Sequence, residues 1–158
     1  MKKKIEIEYS EYRSKDELPD KDRDLIDFAL QACANSYSPY SRFRVGAAVR
    51  LSNGEVTTGS NQENIAYPSG LCAERVALFG ASARHGKNCI VEALAIAAID
   101  NDGLLAEASP CGACRQVMIE QEQRQGAPMR TLVVLADGGV REYRNVSDLL
   151  PFVFKAEL

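Results

Sequence analysis

The chain has 158 residues, with 19 Lys+Arg against 22 Asp+Glu and a formal net charge of -3. A chain of this size is one domain; it buries about 70% of the surface its unfolded form exposes and needs no disulfide or metal merely to fold. A polynucleotide partner calls for a basic surplus, which is missing here, and no apolar run reaches the roughly 18 residues of a membrane span. The longest, Ile90 to Ile99, is broken by Glu92. Met1-Lys-Lys-Lys4 is basic like the start of an export signal, but the alternating Ile5-Glu-Ile-Glu-Tyr9 follows it and no apolar stretch does. Five Cys is an odd number. Together these features predict a cytoplasmic protein whose thiols are free, catalytic or metal-bound.

In chain order, Ile5, Ile7 and Tyr9 alternate with charges and predict a short edge strand. Asp20 is placed to cap a first helix with Leu25, Ile26, Ala29, Leu30 and Cys33 on its apolar face. Val45, Ala47, Val49 and Leu51 alternate toward Asn53-Gly54, a hairpin turn signal, with a return strand over 55–60. The polar cluster Asn61-Gln-Glu-Asn64 falls where that strand ends. Pro68-Ser-Gly70 reads as a helix start, followed by the small and apolar run Cys72–Ala81, with Gly86 ending the helix. Residues 90–99 form a strand covered on both faces. A loop over 101–110 leads to a helix over 111–123, then strands over 131–136 and 140–144, and a last turn capped by Ser147. This alternation predicts an α/β fold with a partly parallel sheet.

Cys72-Ala-Glu74 and Pro110-Cys111-Gly-Ala-Cys114 stand at two of these helix starts. Cys111 and Cys114 are three apart and share a helix face. Cys72 joins them from the other helix to make a three-thiolate site, which suits zinc. Three protein donors with one open position is the catalytic arrangement, whereas structural sites use four. The single histidine, His85, falls at the far end of the Cys72 helix, roughly 20 Å away at 1.5 Å per residue, and reads as a surface helix-end residue. Glu74 is a carboxylate on an otherwise apolar helix, where burial is costly without a task or a partner. Beside a metal-activated water it can move protons; a dipole-complementing glutamate of the first turn is the plainer alternative. Cys-x-x-Cys by itself equally suits a redox pair or part of a structural zinc site. The joint pattern of Cys-x-Glu with Pro-Cys-x-x-Cys corresponds to the three-Cys form of the zinc nucleobase deaminase signature.

At these residues the sequence resembles the homotetrameric zinc-dependent cytidine deaminase family. The resemblance runs over about 21–155 and includes Tyr37-Ser-Pro-Tyr-Ser-Arg-Phe-Arg-Val-Gly-Ala-Ala48, Asn61-Gln-Glu-Asn64, Cys72-Ala-Glu-Arg75 and Pro110-Cys-Gly-Ala-Cys-Arg-Gln116. It implies a three-layer α/β/α sandwich around a mixed five-stranded sheet over 21–158, preceded by an extension of unknown role over 1–20. It also implies a pyrimidine-salvage activity: hydrolysis of cytidine and deoxycytidine to the uridine forms and ammonia. Cys72, Cys111 and Cys114 would hold one Zn²⁺ per chain. Glu74 would carry a proton from the attacking water to N3 of the base and help ammonia leave. Asn61 and Glu63 would bind ribose hydroxyls, Ala73 would lie against the substrate, and Phe43 would stack near the base. Tyr67 and Phe154 would complete a neighbouring subunit's site, with Phe152 competing for the second role.

Three thiolates exceed the charge of Zn²⁺ and should make an attached water less acidic than at a three-His site. Arg75 and Arg115 directly follow key motif residues and are expected, with the helix N-termini, to donate hydrogen bonds to the sulfurs. Cys33 and Cys89 are expected to be small buried hydrophobes. A deaminase of another cytosine compound, such as the blasticidin S deaminases, shares the zinc motifs; Asn61-Gln-Glu63 favours a sugar-bearing substrate. A non-catalytic zinc-stabilised domain or a thiol redox protein is a second class; the redox reading leaves Cys72 and Glu74 unexplained. An editor of RNA or single-stranded DNA needs a basic channel and stacking platforms, which an acidic chain without Trp does not suggest.

Overall fold

The computed structural model describes residues 1–155, and within them seven strands form one mixed sheet. The last three residues of the expected 21–158 domain lie outside the described residues. The strands are β1 (Ser10–Tyr12), β2 (Arg44–Leu51), β3 (Val56–Ser60), β4 (Val91–Ile99), β5 (Leu105–Ala106), β6 (Arg130–Val134) and β7 (Val140–Tyr143). Their order across the sheet is β1-β7-β6-β4-β2-β3, with β5 paired to the end of β4. Only β4 and β6 run parallel; the other pairs are antiparallel. Helix α1 (Asp20–Ala32) covers one face, and α2 (Ala73–His85) and α3 (Gly112–Gln125) cover the other. The three layers are as expected.

The strand count is corrected from five to seven. β1 adds to β7, with Ser10 opposite Glu142, and β5 adds to β4, with Ala98 opposite Ala106. Both are two or three residues long, too short to show a period of two in the sequence. The edge strand therefore lies just beyond the alternating Ile5–Tyr9, whose Ile5, Ile7 and Tyr9 stay exposed. Tyr9 rests against the Arg141 guanidinium, 5.4 Å from its ring centroid.

Strand β4 explains why the layers differ. Leu94 and Ile96 point to the α2/α3 face, while Ala93, Ala95 and Ala97 point to α1. Small residues let α1 approach closely. A Cβ on Gly46 of β2 would stand 2.0 Å from the Ala29 carbonyl oxygen, so that position admits no side chain. On the opposite face, a Cβ on Gly59 of β3 would stand 2.6 Å from the Ala73 carbonyl and 2.5 Å from the Ala77 nitrogen. Gly59 thus lets the first turn of α2 lie directly on the sheet.

Several boundaries move. Asp20 is the first helical residue and not the cap; Pro19 precedes it and makes no side-chain bond. Helix α2 begins at Ala73, because Tyr67–Ser69 forms a separate 3-10 turn. Gly86 ends α2 at φ 54 as expected. Ser147 sits inside the last turn, Val146–Asp148, and does not cap it. No helix among the described residues is long and apolar enough to cross a membrane.

Candidate metal centre and substrate cleft

The two helices on the α2/α3 face begin at the same end of the sheet, and each is preceded by a cysteine. Cys72 (φ -70, ψ 155) and Cys111 (φ -67, ψ 166) are extended residues just before α2 and α3, and Cys114 lies in the first turn of α3. Cys111 Sγ stands 3.7 Å from Cys72 Sγ and 3.4 Å from Cys114 Sγ, and all three sulfurs lie within 4.8 Å of one another. Tetrahedral zinc with Zn–S bonds of about 2.3 Å puts its sulfurs about 3.8 Å apart. The donor set and its spacing therefore fit zinc, which Cys72, Cys111 and Cys114 would hold. Among the described residues this is the only cluster of three or more His, Cys, Asp or Glu side chains that could hold a metal. His85 does not join it. It ends α2, partly buried, with Nε2 3.4 Å from Glu55.

Charge in the cluster is unevenly held. The Cys72 thiol is pushed down, chiefly by a hydrogen bond from Cys114 that outweighs burial, and then by Arg75, whose Nη2 donates to Cys72 Sγ at 3.6 Å. The Cys114 thiol is pushed up, because it donates to Cys72 and is buried beside Glu74. The Arg75 Nε is buried without a partner. A buried donor without an acceptor beside three thiols marks a place where negative charge belongs. Glu74 is only 4% exposed. Burial pushes its carboxyl up to about 6, and the neighbouring Cys72 adds to the effect. Such a group exchanges protons readily near neutral pH.

Arg115 departs from expectation. Its Nε donates to the Pro110 carbonyl at 2.8 Å and its Nη1 to the Leu149 carbonyl at 3.0 Å. No thiol is among its hydrogen-bond partners, because the side chain spans back to the loop before α3 and across to the C-terminal segment.

A cleft of about 420 Å³ opens beside Cys72 and Arg75, and its wall includes Asn61, Glu63, Ser41 and Tyr67. Asn61 is tightly engaged. Its Oδ1 accepts from Val45 N at 2.9 Å and Ser36 Oγ at 2.5 Å, and its Nδ2 donates to the Phe43 carbonyl at 2.8 Å. Glu63 accepts from Tyr40 N at 2.9 Å, Ser41 N at 3.3 Å and the Ser41 hydroxyl. The Ser41 hydroxyl bond, first, and those backbone donors hold its carboxyl below the usual range. Tyr40 and Ser41, which stand in the Tyr37–Ala48 motif without an expected role, are the residues that hold Glu63. Their signal was faint, because both look like ordinary loop residues. The loop they form is held in place tightly enough to keep Arg42 at φ 56, in the left-handed region.

The remaining expected residues are placed differently. Glu74 and Ala73 are nearly and fully buried and do not line the cleft. Phe43 is half-buried and does not line the cleft. Tyr67 stands at its rim, 81% exposed. Phe152 and Phe154 are 81% and 84% exposed and lie outside the lining. Cys33 and Cys89 are buried and free, away from the cluster.

Three clustered thiols beside a buried carboxyl that burial pushes up to about 6 suit a zinc hydrolase. Residues 19–126 match the cytidine and deoxycytidylate deaminase zinc-binding region, and the chain belongs to that family. It is 44% identical over 135 residues to a cytidine deaminase of Halalkalibacterium halodurans, covering 84% of this chain and 93% of the relative. It is 38% identical over 138 residues to a cytidine deaminase of Mycobacterium tuberculosis, covering 87% of this chain and 92% of the relative. The crystal structure of cytidine deaminase from Burkholderia pseudomallei superposes with a TM-score of 0.72 at 38% identity, covering 83% of this chain and 97% of that one.

Proposed function

We propose that this chain is a cytidine deaminase of pyrimidine salvage. It hydrolyses cytidine and deoxycytidine with one water to uridine or deoxyuridine and one ammonia. The observation that carries the reading is the cluster of three sulfurs at two converging helix starts, with the buried Glu74 carboxyl beside Cys72 and Cys114. Zinc held by Cys72, Cys111 and Cys114 supplies the Lewis acidity that makes a water nucleophilic at neutral pH. Glu74 accepts the proton of the attacking water. It delivers that proton to N3 of the base and assists departure of the exocyclic amine as ammonia. Arg75 offsets part of the thiolate charge. Its replacement by Ala is expected to move the acidic limb of the pH–rate profile to higher pH; an unmoved limb with zinc retained would remove Arg75 from this role.

The sugar subsite follows from counting donors and acceptors. Asn61 Oδ1 is already doubly engaged, but Nδ2 keeps one N–H; Glu63 keeps acceptor capacity after its three bonds to the 40–41 loop. One free donor and one free acceptor suit a sugar hydroxyl. Ala73 and Phe43 contribute to the base pocket after adjustment around the bound nucleoside. The exposed rings of Tyr67 and Phe154 are surfaces that call for cover, and in a homotetramer they complete neighbouring sites, with Phe152 as the alternative to Phe154. The acidic balance favours a free nucleoside over a polynucleotide, and five free thiols suit a cytoplasmic location. Residues 21–158 form the deaminase domain, and 1–20 an extension.

The decisive experiment follows the loss of cytidine absorbance with and without a zinc chelator, with deoxycytidine and blasticidin S as parallel substrates. The expected result is deamination of both nucleosides, abolished by the chelator and restored by zinc. A zinc-loaded protein inactive on every cytosine nucleoside would sink the reading.

A further inference from the structure

Arg115 follows the last metal-ligating cysteine, yet its guanidinium turns away from the sulfurs and joins two carbonyls from distant parts of the chain. Both belong to buried residues, Pro110 and Leu149. Pro110 has no N–H, so its carbonyl is the one backbone hydrogen-bonding group it brings to the loop. Its carbonyl carbon is bonded to the Cys111 nitrogen. Holding that carbonyl therefore sets the direction in which Cys111 leaves the loop. Cys111 must stay extended while its sulfur turns back to accept from Cys114 N at 3.5 Å. Cys114 already rides on a regular helix and needs no such guide.

The same helical turn also holds the C-terminal segment. Arg115 takes the Leu149 carbonyl, and its neighbour Gln116 donates through Nε2 to the Phe154 carbonyl at 2.9 Å. Consecutive side chains at the start of α3 thus fasten both ends of the stretch 149–154. A guanidinium presents several donors in a fixed plane and can bridge two carbonyls at once; an ammonium on a flexible stem is a point charge without that fork.

We propose that Arg115 is a positioning residue: it presets Cys111 for metal binding and couples the metal-binding turn to the C-terminal segment through one side chain. The proposal rests on the zinc reading above. Coupling of this kind is reciprocal, so zinc firms the segment to the same extent that the segment's contact favours zinc.

The test compares the full-length wild type with Arg115→Lys, Arg115→Ala and Gln116→Ala. Zinc affinity is measured by competition with a chromogenic chelator. Hydrogen exchange is measured at the amides of Leu149 and Leu150, which are bonded to the Val146 carbonyl, with and without zinc. Both Arg115 variants are expected to bind zinc about 10–100-fold more weakly. In the wild type, zinc removal speeds exchange at these amides; in the Arg115 variants exchange is already fast and indifferent to zinc. Gln116→Ala is expected to keep zinc affinity within about twofold, because it leaves the Pro110 contact intact. Arg115→Lys binding zinc like the wild type would overturn the proposal, since charge and not the bridge would then matter. Wild-type exchange indifferent to zinc would overturn the coupling. Should Arg115→Ala fail to fold, Arg115→Lys decides alone. A wild type that binds no zinc would instead sink the reading of the site itself.

Discussion

Two clusters of ionisable side chains lie with the helix layers on either side of the sheet, and they are built in opposite ways. On the α1 face Asp22, 1% exposed, accepts from Arg50 Nη2 at 2.9 Å and from Arg130 Nη2 at 2.8 Å. Arg130 Nε reaches Glu142 at 2.8 Å, which also accepts the Tyr12 hydroxyl at 2.9 Å, and Arg50 Nη1 takes the Lys21 carbonyl. Every charge there has an opposite neighbour within hydrogen-bond reach. At the helix starts, Glu74 forms no salt bridge among the described residues, three thiols crowd together, and the Arg75 Nε has no partner. A saturated cluster has nothing left to offer a ligand. An unsaturated one, with Glu74 and Cys114 buried and Cys111 exposed, is held by the fold at a cost and is completed by what binds. The contrast separates a brace from a reaction centre without reference to any relative.

The largest expected effect breaks the reaction centre and spares the brace. Glu74→Gln keeps the shape and removes the proton carrier, so deamination should fall by at least the 10²–10⁴-fold usual for a general acid–base, roughly. Zinc content and melting temperature should hold, since the neutral amide relieves a buried charge. Steady-state rates beside metal analysis check this, and activity within tenfold of wild type would contradict it. Next in size, Asp22→Ala strands two guanidiniums. Because Arg130 is partly exposed, the low end of the range for breaking a buried pair applies, about 3 kcal/mol. For a chain of this length that lowers Tm by roughly 6–12 °C. The rate of the folded enzyme at room temperature should stay near wild type. A loss of rate comparable to the Glu74 variant would mean the two clusters are not independent.

The two glycine contacts sharpen the same division. Gly46→Ala pushes on α1 at Ala29, and Gly59→Ala pushes on α2 at Ala73 and Ala77. Each sets a Cβ against backbone atoms and should cost at least the roughly 1–3 kcal/mol of ordinary overpacking, more at Gly46 than at Gly59. Only Gly59→Ala should also lower kcat/KM, because Ala73 stands between Cys72 and Glu74. Equal activity in the two folded variants would show that Gly59 does not set the start of α2.

What was legible in the sequence follows the same physics. The gathering of Cys72, Cys111 and Cys114 is legible because a thiol cluster demands specific side chains at specific spacing, and it follows from two helix starts at one sheet end; Glu74 is legible only as a carboxylate on an apolar helix, and it is buried there. The hairpin at Asn53-Gly54 and the fully covered β4 were readable because turn chemistry and burial leave local traces. β1 and β5 were not, since two- or three-residue strands are defined by backbone pairing across more than a hundred residues in one case. The bridge made by Arg115 is not legible, because adjacency to a cysteine in sequence says nothing of which way a long side chain turns. The Asp22–Arg130 brace was invisible for a related reason: its members stand 108 residues apart, and surface and buried charges look alike in a sequence.

The smallest effect is a difference in sign between the two clusters as pH changes, read on the zinc-free protein. For Asp22, burial pulls the carboxyl up, but hydrogen bonds from Arg130 and Arg50 win and hold it below the usual carboxylate range. Its stabilising contribution is therefore complete above about pH 4 and is lost as pH falls through the folded value. Glu74 is raised to about 6 by burial. Its contribution is complete below the unfolded value of about 4.3 and is lost as pH rises toward the folded one. Each pH unit of displacement corresponds to about 1.4 kcal/mol. Thermal unfolding from about pH 3 to 7 separates the two. Asp22→Asn should flatten the acid side of the stability curve and leave the stretch from about pH 4.3 to 6 unchanged, whereas Glu74→Gln should do the reverse. If both variants flatten the same interval, Asp22 and Glu74 do not differ in the way their partners imply, and the distinction between a saturated brace and an unsaturated site loses its electrostatic basis.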